Sequence, residues 1–156
     1  MAIQEQEYIR FAAMRLDHIP FILRIEAEAY PEPWTYNMLR QEMDNKSGYF
    51  CVMLRDDALI GYGGFWMLME EAHITRITII RSQRGQGLSK CIMNHLLDEA
   101  VARNAQVVRL EVREGNWPAI RLYTGLGFVE ERRRIGYYQR TNENAICMMK
   151  PLDNHS

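Results

Sequence analysis

The sequence predicts a single-domain α/β fold of mixed α+β type over residues 1–156: a mixed, mostly antiparallel sheet with a central parallel β-α-β unit and flanking helices. Three observations carry the prediction. Two apolar runs, "GYFCVMLR" and "ALIGYGGFWML", are separated only by Asp56-Asp57, the spacing and composition of a β-hairpin. Further on, "EAHITRITII", a glycine-bearing loop, the helix-like "LSKCIMNHLLDEAVARN" and the strand-like "QVVRLEVR" follow one another. Two strands joined through a helix run parallel, with a right-handed crossover. Finally, a chain of 156 residues buries roughly two-thirds of its unfolded surface around one core.

In chain order, the first strand spans Tyr8 to Met14. Asp17 is placed to cap a helix reaching about Tyr30, whose apolar side is Ile19, Ile22, Leu23, Ile25 and Ala29. The prolines of "PEPW" (Pro31 to Trp34) end that helix, and Thr35 can cap a short second one through Met43. The hairpin and the "EAHITRITII" strand come next, then the glycine loop and a long helix from about Gly87 to Arg103. After "QVVRLEVR", Asn116 is placed to cap a helix with Pro118 in its first turn and Gly127 just past its end. Phe128–Arg134 and Ala145–Lys150 make a last strand pair. No internal repeat, low-complexity tract or linker interrupts this order.

Composition narrows the function classes. A formal charge of -1 argues against a dedicated nucleic-acid binder, although a local basic loop is compatible with it. Cys51, Cys91 and Cys147 are odd in number, far apart and without metal-ligand spacing, which reads as reduced thiols in a cytoplasmic protein with no metal. The start "MAIQEQEYIR" lacks the apolar core of a signal peptide. The most apolar stretch, "ALIGYGGFWMLM", is too short and glycine-rich to cross a bilayer.

The loop "RSQRGQGLSK" (Arg81 to Lys90) sits between a strand and a helix, with Gly85 and Gly87 among Arg81, Arg84 and Lys90. Glycine backbone at a helix N-terminus is the usual physical arrangement for holding phosphate. A dinucleotide fingerprint needs a third glycine that is missing, and a Walker A loop is absent. What remains is Arg84-x-x-Gly87-x-Ser89, or a surface turn in which the glycines serve geometry alone. In the next strand Val108, Leu110 and Val112 alternate with Arg109, Glu111 and Arg113. A parallel strand covered on both faces is apolar throughout, so one side of this one lines a cleft or solvent. Glu111 is central on that side; on the strand alone, cross-strand ion pairing accounts for it equally well.

Beyond the loop, "EAHITRITI", "RGQGLSK", "LEVREGNWPAIRLYTGLGF" and "GYYQRTNENAICM" lie between about His73 and Lys150, with "PEPWT" earlier in the chain. Over this half of its length the sequence resembles the GNAT acetyltransferase superfamily, in particular its N-terminal protein acetyltransferases of the ribosomal-protein-alanine (RimI) type. The loop matches the superfamily's [QR]-x-x-G-x-[GA] pattern, with Ser89 where Gly or Ala is usual. The resemblance implies acetyl-CoA as co-substrate. Ile77, Thr78 and Ile79 would hold its acetyl and pantetheine end, and Arg84, Gly85, Gln86, Gly87, Leu88, Ser89 and Lys90 its pyrophosphate, with Asn116 as a further contact.

The same resemblance implies Glu111 as general base and Tyr123 as general acid, with a protein N-terminus as acceptor. The family's best-known acceptor is the N-terminal alanine of a small-subunit ribosomal protein; no direct nucleic-acid or membrane partner is implied. Tyr137 and Tyr138 would border the peptide entrance, though aromatic packing at a hairpin explains them as well. Trp34 is a further acceptor-side candidate, and for it and Trp117 the sequence leaves core and groove positions open. The chemistry is coherent. An α-amine has a pKa of about 7.7–8.0, only its neutral form attacks a thioester, and a carboxylate can take the proton. Arg109 and Arg113 beside Glu111 would oppose that by favouring its charged form. Cys91 and Cys147 need no nucleophilic role, His73 reads as a structural hydrogen-bonding residue, and "RRR" after Glu130-Glu131 as a charged sheet edge. The rival readings are transfer to a lysine, polyamine or small-molecule amine, and an acyl-CoA-binding regulatory module.

Overall fold

A computed structural model describes residues 8–152. Strands β1 (Ile9–Ala13), β2 (Gly48–Arg55), β3 (Ala58–Leu68), β4 (Glu71–Ile79), β5 (Val107–Arg113), β6 (Val129–Tyr138) and β7 (Glu143–Pro151) form one sheet in the order β1-β2-β3-β4-β5-β7-β6. The β4–β5 pair is parallel and every other neighbouring pair antiparallel, the mixed sheet with a central parallel unit expected from the sequence. Helices α1 (Ile19–Ala29), α2 (Tyr36–Asp44), α3 (Leu88–Ala102) and α4 (Trp117–Gly125) complete the described chain. The opening residues read for a signal peptide lie, up to residue 7, outside the described residues.

The period-two alternation of β2 sorts the core into two layers. Cys51 and Met53 face one way, where they join Ile92, Met93, Leu96 and Leu97 of α3 and Phe128. Phe50, Val52 and Leu54 face the other way, against Ile19 and Ile22 of α1 and Leu39 of α2. Successive side chains on a strand point to opposite faces, so a central strand covered by helices on both sides is apolar throughout, as "YFCVML" is. The hairpin turn falls at Asp56-Asp57, with φ of 50° and 67°; aspartate tolerates this left-handed region better than most residues, and the twist of such a turn matches that of the strands.

Three helix caps were legible and one was not. Thr35 accepts from the Met38 amide, and the Asn116 side chain from Ala119. Gly127 follows α4 at φ 98°. Asp17, however, does not cap α1: both of its oxygens are taken by the Arg15 guanidinium. A 3-10 turn at Leu16–His18 precedes the helix instead, with His18 Nδ1 accepting the Arg15 amide. The final hairpin is also longer than expected, because β6 runs on through Tyr138. It is the outer strand of the sheet, and its row of Glu130 to Arg134 is solvent-exposed, as a charged edge that resists further pairing should be. Among the described residues, no helix is long and apolar enough to cross a membrane.

Candidate active site

The parallel β4–β5 ladder is short. It pairs Glu71 with Val107, Ala72 with Val108 and His73 with Arg109, and no further pairs follow although both strands continue. Beyond His73 the two strands splay, and two clefts meet in the gap. One, of about 670 Å³, is lined by Ile77, Thr78, Ile79, Arg84, Gly85, Gly87, Leu88, Ser89 and Lys90, with Asn116 and Tyr123 across from them. The other, of about 530 Å³, carries Glu111 on the polar face of β5 together with Trp34, Tyr137 and Tyr138. Tyr30, Ile77, Asn116 and Tyr123 line both, so they mark the junction.

The first cleft has the makings of an anion cradle. Gly85 and Gly87 adopt φ of 82° and 76°, values that glycine adopts without the strain a Cβ brings. Gly87 leads directly into α3, whose unpaired first amides and dipole favour negative charge. Lys90 adds a cation at the same end. A Cβ on Gly85 or Gly87 would meet nothing within 4 Å, so conformation and not crowding calls for glycine at both. Ser89 faces this cleft. Gln86 departs from the expectation: it does not line the cleft, because its side chain turns away to accept from Arg55. Arg84 is tethered too, its Nε donating to the Ile79 carbonyl at 3.0 Å.

In the second cleft, Glu111 pairs with Arg134 of β6 at 3.1 Å, and its side chain keeps 34% exposure. The arginines flanking it in sequence are engaged elsewhere. Arg109 bridges Glu71 and Glu131, while Arg113 reaches Glu32 and Glu143 and lies over the Tyr138 ring. Tyr123 packs on Phe128 with ring centroids 5.8 Å apart, and burial pushes its hydroxyl well above the ordinary tyrosine pKa, so it stays protonated. Tyr138 is pushed up to about 12, first by burial and then by the nearby Glu111 carboxylate. His73 pairs with Glu71 and borders the cleft. Trp117 is two-thirds exposed and lines neither cleft.

Two groups at this site escaped the sequence reading. Glu26 is fully buried in the apolar stripe of α1. It accepts from Arg76 Nε and Nη2, from the Tyr62 hydroxyl at 2.6 Å and from the Trp34 amide at 2.7 Å. Arg76 in turn lies 3.7 Å from the Tyr30 ring centroid and 4.8 Å from that of Trp34, and donates to the Glu32 carbonyl. The pair thereby clamps the α1–α2 connection, with Trp34 on it, against β4. Tyr30 is held at the junction by Thr78, its hydroxyl 2.6 Å from Oγ1. The second group is Glu42 of α2, buried at the cleft wall and bonded by Thr75 and Trp66. The signals were a glutamate within an apolar stripe and an arginine at the centre of "ITRITI"; neither breaks a periodicity count enough to be singled out.

Comparison with known proteins agrees with this geometry. A family model described as "Acetyltransferase (GNAT) family" matches residues 19–128. A Bacillus subtilis protein, described as a candidate [ribosomal protein bS18]-alanine N-acetyltransferase, is 34% identical over 86% of this chain and 90% of its own. The crystal structure of the ribosomal-protein-S18-alanine N-acetyltransferase from Escherichia coli superposes with a TM-score of 0.87 at 25% identity, covering 95% of this chain and 96% of that one. Arabidopsis thaliana NAA60 in complex with acetyl-CoA shares the fold alone, with a TM-score of 0.84 at 16% identity over 92% of this chain and 99% of that one. With the splayed parallel strands, the glycine cradle at the head of α3 and a family match across most of its length, the chain belongs to the GNAT acetyltransferase family.

Proposed function

We propose that the protein transfers the acetyl group of acetyl-CoA to the α-amine of a protein N-terminus, with a ribosomal protein as acceptor. The observation that carries this reading is the meeting of the two clefts at Tyr30, Ile77, Asn116 and Tyr123. One has the chemistry for a pyrophosphate; the other, lined by the Glu111 carboxylate, shares those four residues with it. The names of the Bacillus and Escherichia relatives support the acceptor.

The reaction follows from the groups present. Gly85, Gly87, Ser89, Lys90 and the first turn of α3 hold the pyrophosphate, and Ile77 to Ile79 receive the pantetheine arm along the free edge of β4. The acceptor enters past Trp34, Tyr137 and Tyr138. Its neutral amine attacks the thioester carbonyl, forming the C–N bond and a tetrahedral oxyanion, which then collapses with cleavage of the C–S bond. Glu111 accepts the amine proton, directly or through water, and backbone N–H groups of the splayed strand stabilise the oxyanion. Tyr123, whose hydroxyl burial keeps protonated, donates a hydrogen bond to the departing thiolate, and the proton that Glu111 took from the amine returns to the sulfur or to solvent. No acyl-enzyme is needed: burial raises the thiol pKa of Cys91 and Cys147 and so disfavours their thiolates.

Mass spectrometry after incubation with acetyl-CoA tests the reading. The acceptors are a peptide with a free N-terminal alanine, the same peptide with its α-amine blocked and a lysine free, and spermidine. Acetylation of the first alone is expected. Transfer only to lysine or spermidine overturns the acceptor and leaves the acetyltransferase.

A further inference from the structure

A third cavity, of about 570 Å³, lies beside the cofactor loop, between α1 and the chain that leaves β4. Its apolar lining comes from Phe21 and Ile25 of α1, Leu59 of β3 and Ile80. Phe21 is 52% exposed, a large apolar ring open to whatever enters. Arg24, Arg81 and Arg84 line the same space against one acid, Glu28. Three cations against one anion leave an excess of positive charge. Small-molecule sites span roughly 300–1,000 Å³ and combine an apolar lining with a few polar groups that orient the ligand. This cavity has both features.

The arginines are not spoken for. Among the described residues none of the three has a carboxylate within ion-pair distance, whereas Arg109, for example, holds both Glu71 and Glu131. Arg24 lies over the Phe21 ring, 5.0 Å from its centroid. Stacking of that kind supports one face of a guanidinium and leaves its N–H edge to a ligand. Arg84 spends only its Nε, on the Ile79 carbonyl, and Ser82 adds a hydroxyl. A bare anion would match the arginines and leave the apolar lining wet; a neutral apolar molecule would do the reverse. The lining as a whole calls for an apolar body with an anionic head, which arginine can grip with two parallel hydrogen bonds.

The cavity is also joined to the cofactor cleft. Ala29 and Arg84 line both, and the short turn Arg81–Gln83 with Arg84 connects β4 to the glycine cradle. One guanidinium cannot give its free edge to two anions at once. A ligand here therefore weakens the hold on the cofactor, and the cofactor weakens the ligand by the same factor.

We propose that this cavity is an effector site for an amphipathic anion, a carboxylate or phosphate ester on an aromatic or aliphatic body, which opposes acetyl-CoA binding through Arg84. The coupling rests on the assignment of the neighbouring cleft to acetyl-CoA; the site itself does not.

The probe is 2-naphthoate, with 2-naphthamide as its uncharged counterpart. Fluorescence titration gives their affinities for the wild-type protein and for Arg24→Glu, an exposed position outside the acetyl-transfer groups, and calorimetry gives the acetyl-CoA Kd at rising naphthoate. Naphthoate is expected to bind about tenfold or more tighter than the amide and to lose that advantage in Arg24→Glu. It is expected to raise the acetyl-CoA Kd by about fivefold or more, to a plateau, because both ligands bind at once. Absence of naphthoate binding, equal affinity for acid and amide, or an advantage that survives Arg24→Glu overturns the site. A rise in Kd without limit puts the probe in the cofactor cleft and overturns it too. An acetyl-CoA Kd indifferent to bound naphthoate overturns the effector role. Failure of acetyl-CoA to bind the protein alone overturns the cofactor assignment, and the comparison of naphthoate with its amide then still decides the site.

Discussion

Replacing Glu26 by alanine should destabilise the protein more than any exposed substitution, and the structure says by how much. The side chain is fully buried and accepts from the Arg76 guanidinium twice, from the Tyr62 hydroxyl and from the Trp34 amide. The alanine variant strands all of these donors at once, and Arg76, 17% exposed at its side chain, becomes a largely buried cation without a counter-ion. Breaking a buried pair by removing one partner typically costs about 3–5 kcal/mol. For a chain of this size each kcal/mol shifts Tm by about 2–4 °C, so a drop of about 6–20 °C is expected. Urea denaturation at constant m-value measures the loss. A double-mutant cycle with Arg76→Met separates the ion pair from the cavity, since the double variant, with no orphan charge, should recover a kilocalorie or more per mole. A loss below about 1 kcal/mol for Glu26→Ala, or strict additivity in the cycle, would refute the reasoning.

Four further expectations concern the chemistry and the cofactor loop. Glu111→Gln should lower kcat at neutral pH by about a hundredfold or more while acetyl-CoA binding, followed by calorimetry, holds; a near-native kcat would mean that the proton is taken elsewhere. Tyr123→Phe should slow turnover about tenfold or more, the value of one lost hydrogen bond to a developing thiolate. Because burial raises the Tyr123 pKa above its ordinary value of about 10, the wild-type enzyme should show no loss of kcat from its ionisation up to about pH 9.5; a falling limb there that disappears in the phenylalanine variant contradicts this. Gly87→Ala should raise the KM for acetyl-CoA and lower Tm by a few degrees. The cause is backbone: φ is 76° in open space, and the left-handed region costs a side-chain-bearing residue about 1–2 kcal/mol. A variant with native KM and Tm would place the loop outside cofactor binding.

What the sequence revealed and what it hid divide along one line. Patterns carried by the local chain were legible: the Asp56-Asp57 turn, the Thr35 and Asn116 caps, the alternation of β5 and the glycine loop all depend on a few consecutive residues. Partnerships between distant residues were not. The arginines beside Glu111 looked like its natural neighbours, yet strand geometry sends Arg109 to Glu71 and Glu131, and brings Arg134 from the outer strand. Asp17 failed as a cap because a guanidinium two residues away competed for its oxygens, and Gln86 left the cleft for Arg55 on β2. Glu26 and Arg76, fifty residues apart, explain each other only once they touch. A lone charge in an apolar pattern is therefore the most useful cue to a missing partner.

The brevity of the β4–β5 ladder has a consequence for stability as well as for chemistry. Strands β1 to β4 are joined to one another by antiparallel ladders, and so are β5 to β7, but the two sets share a seam of three registered pairs. A molecule lying along that seam closes it, so its binding energy is also cohesion between the halves. A ligand at a hundred times its dissociation constant adds about 2.7 kcal/mol to a native state, a sizeable addition to the about 5–15 kcal/mol on which folded domains rest. Saturation with acetyl donor should therefore raise the Tm of the protein, cohesion that adds to the buried core the two strand sets already share.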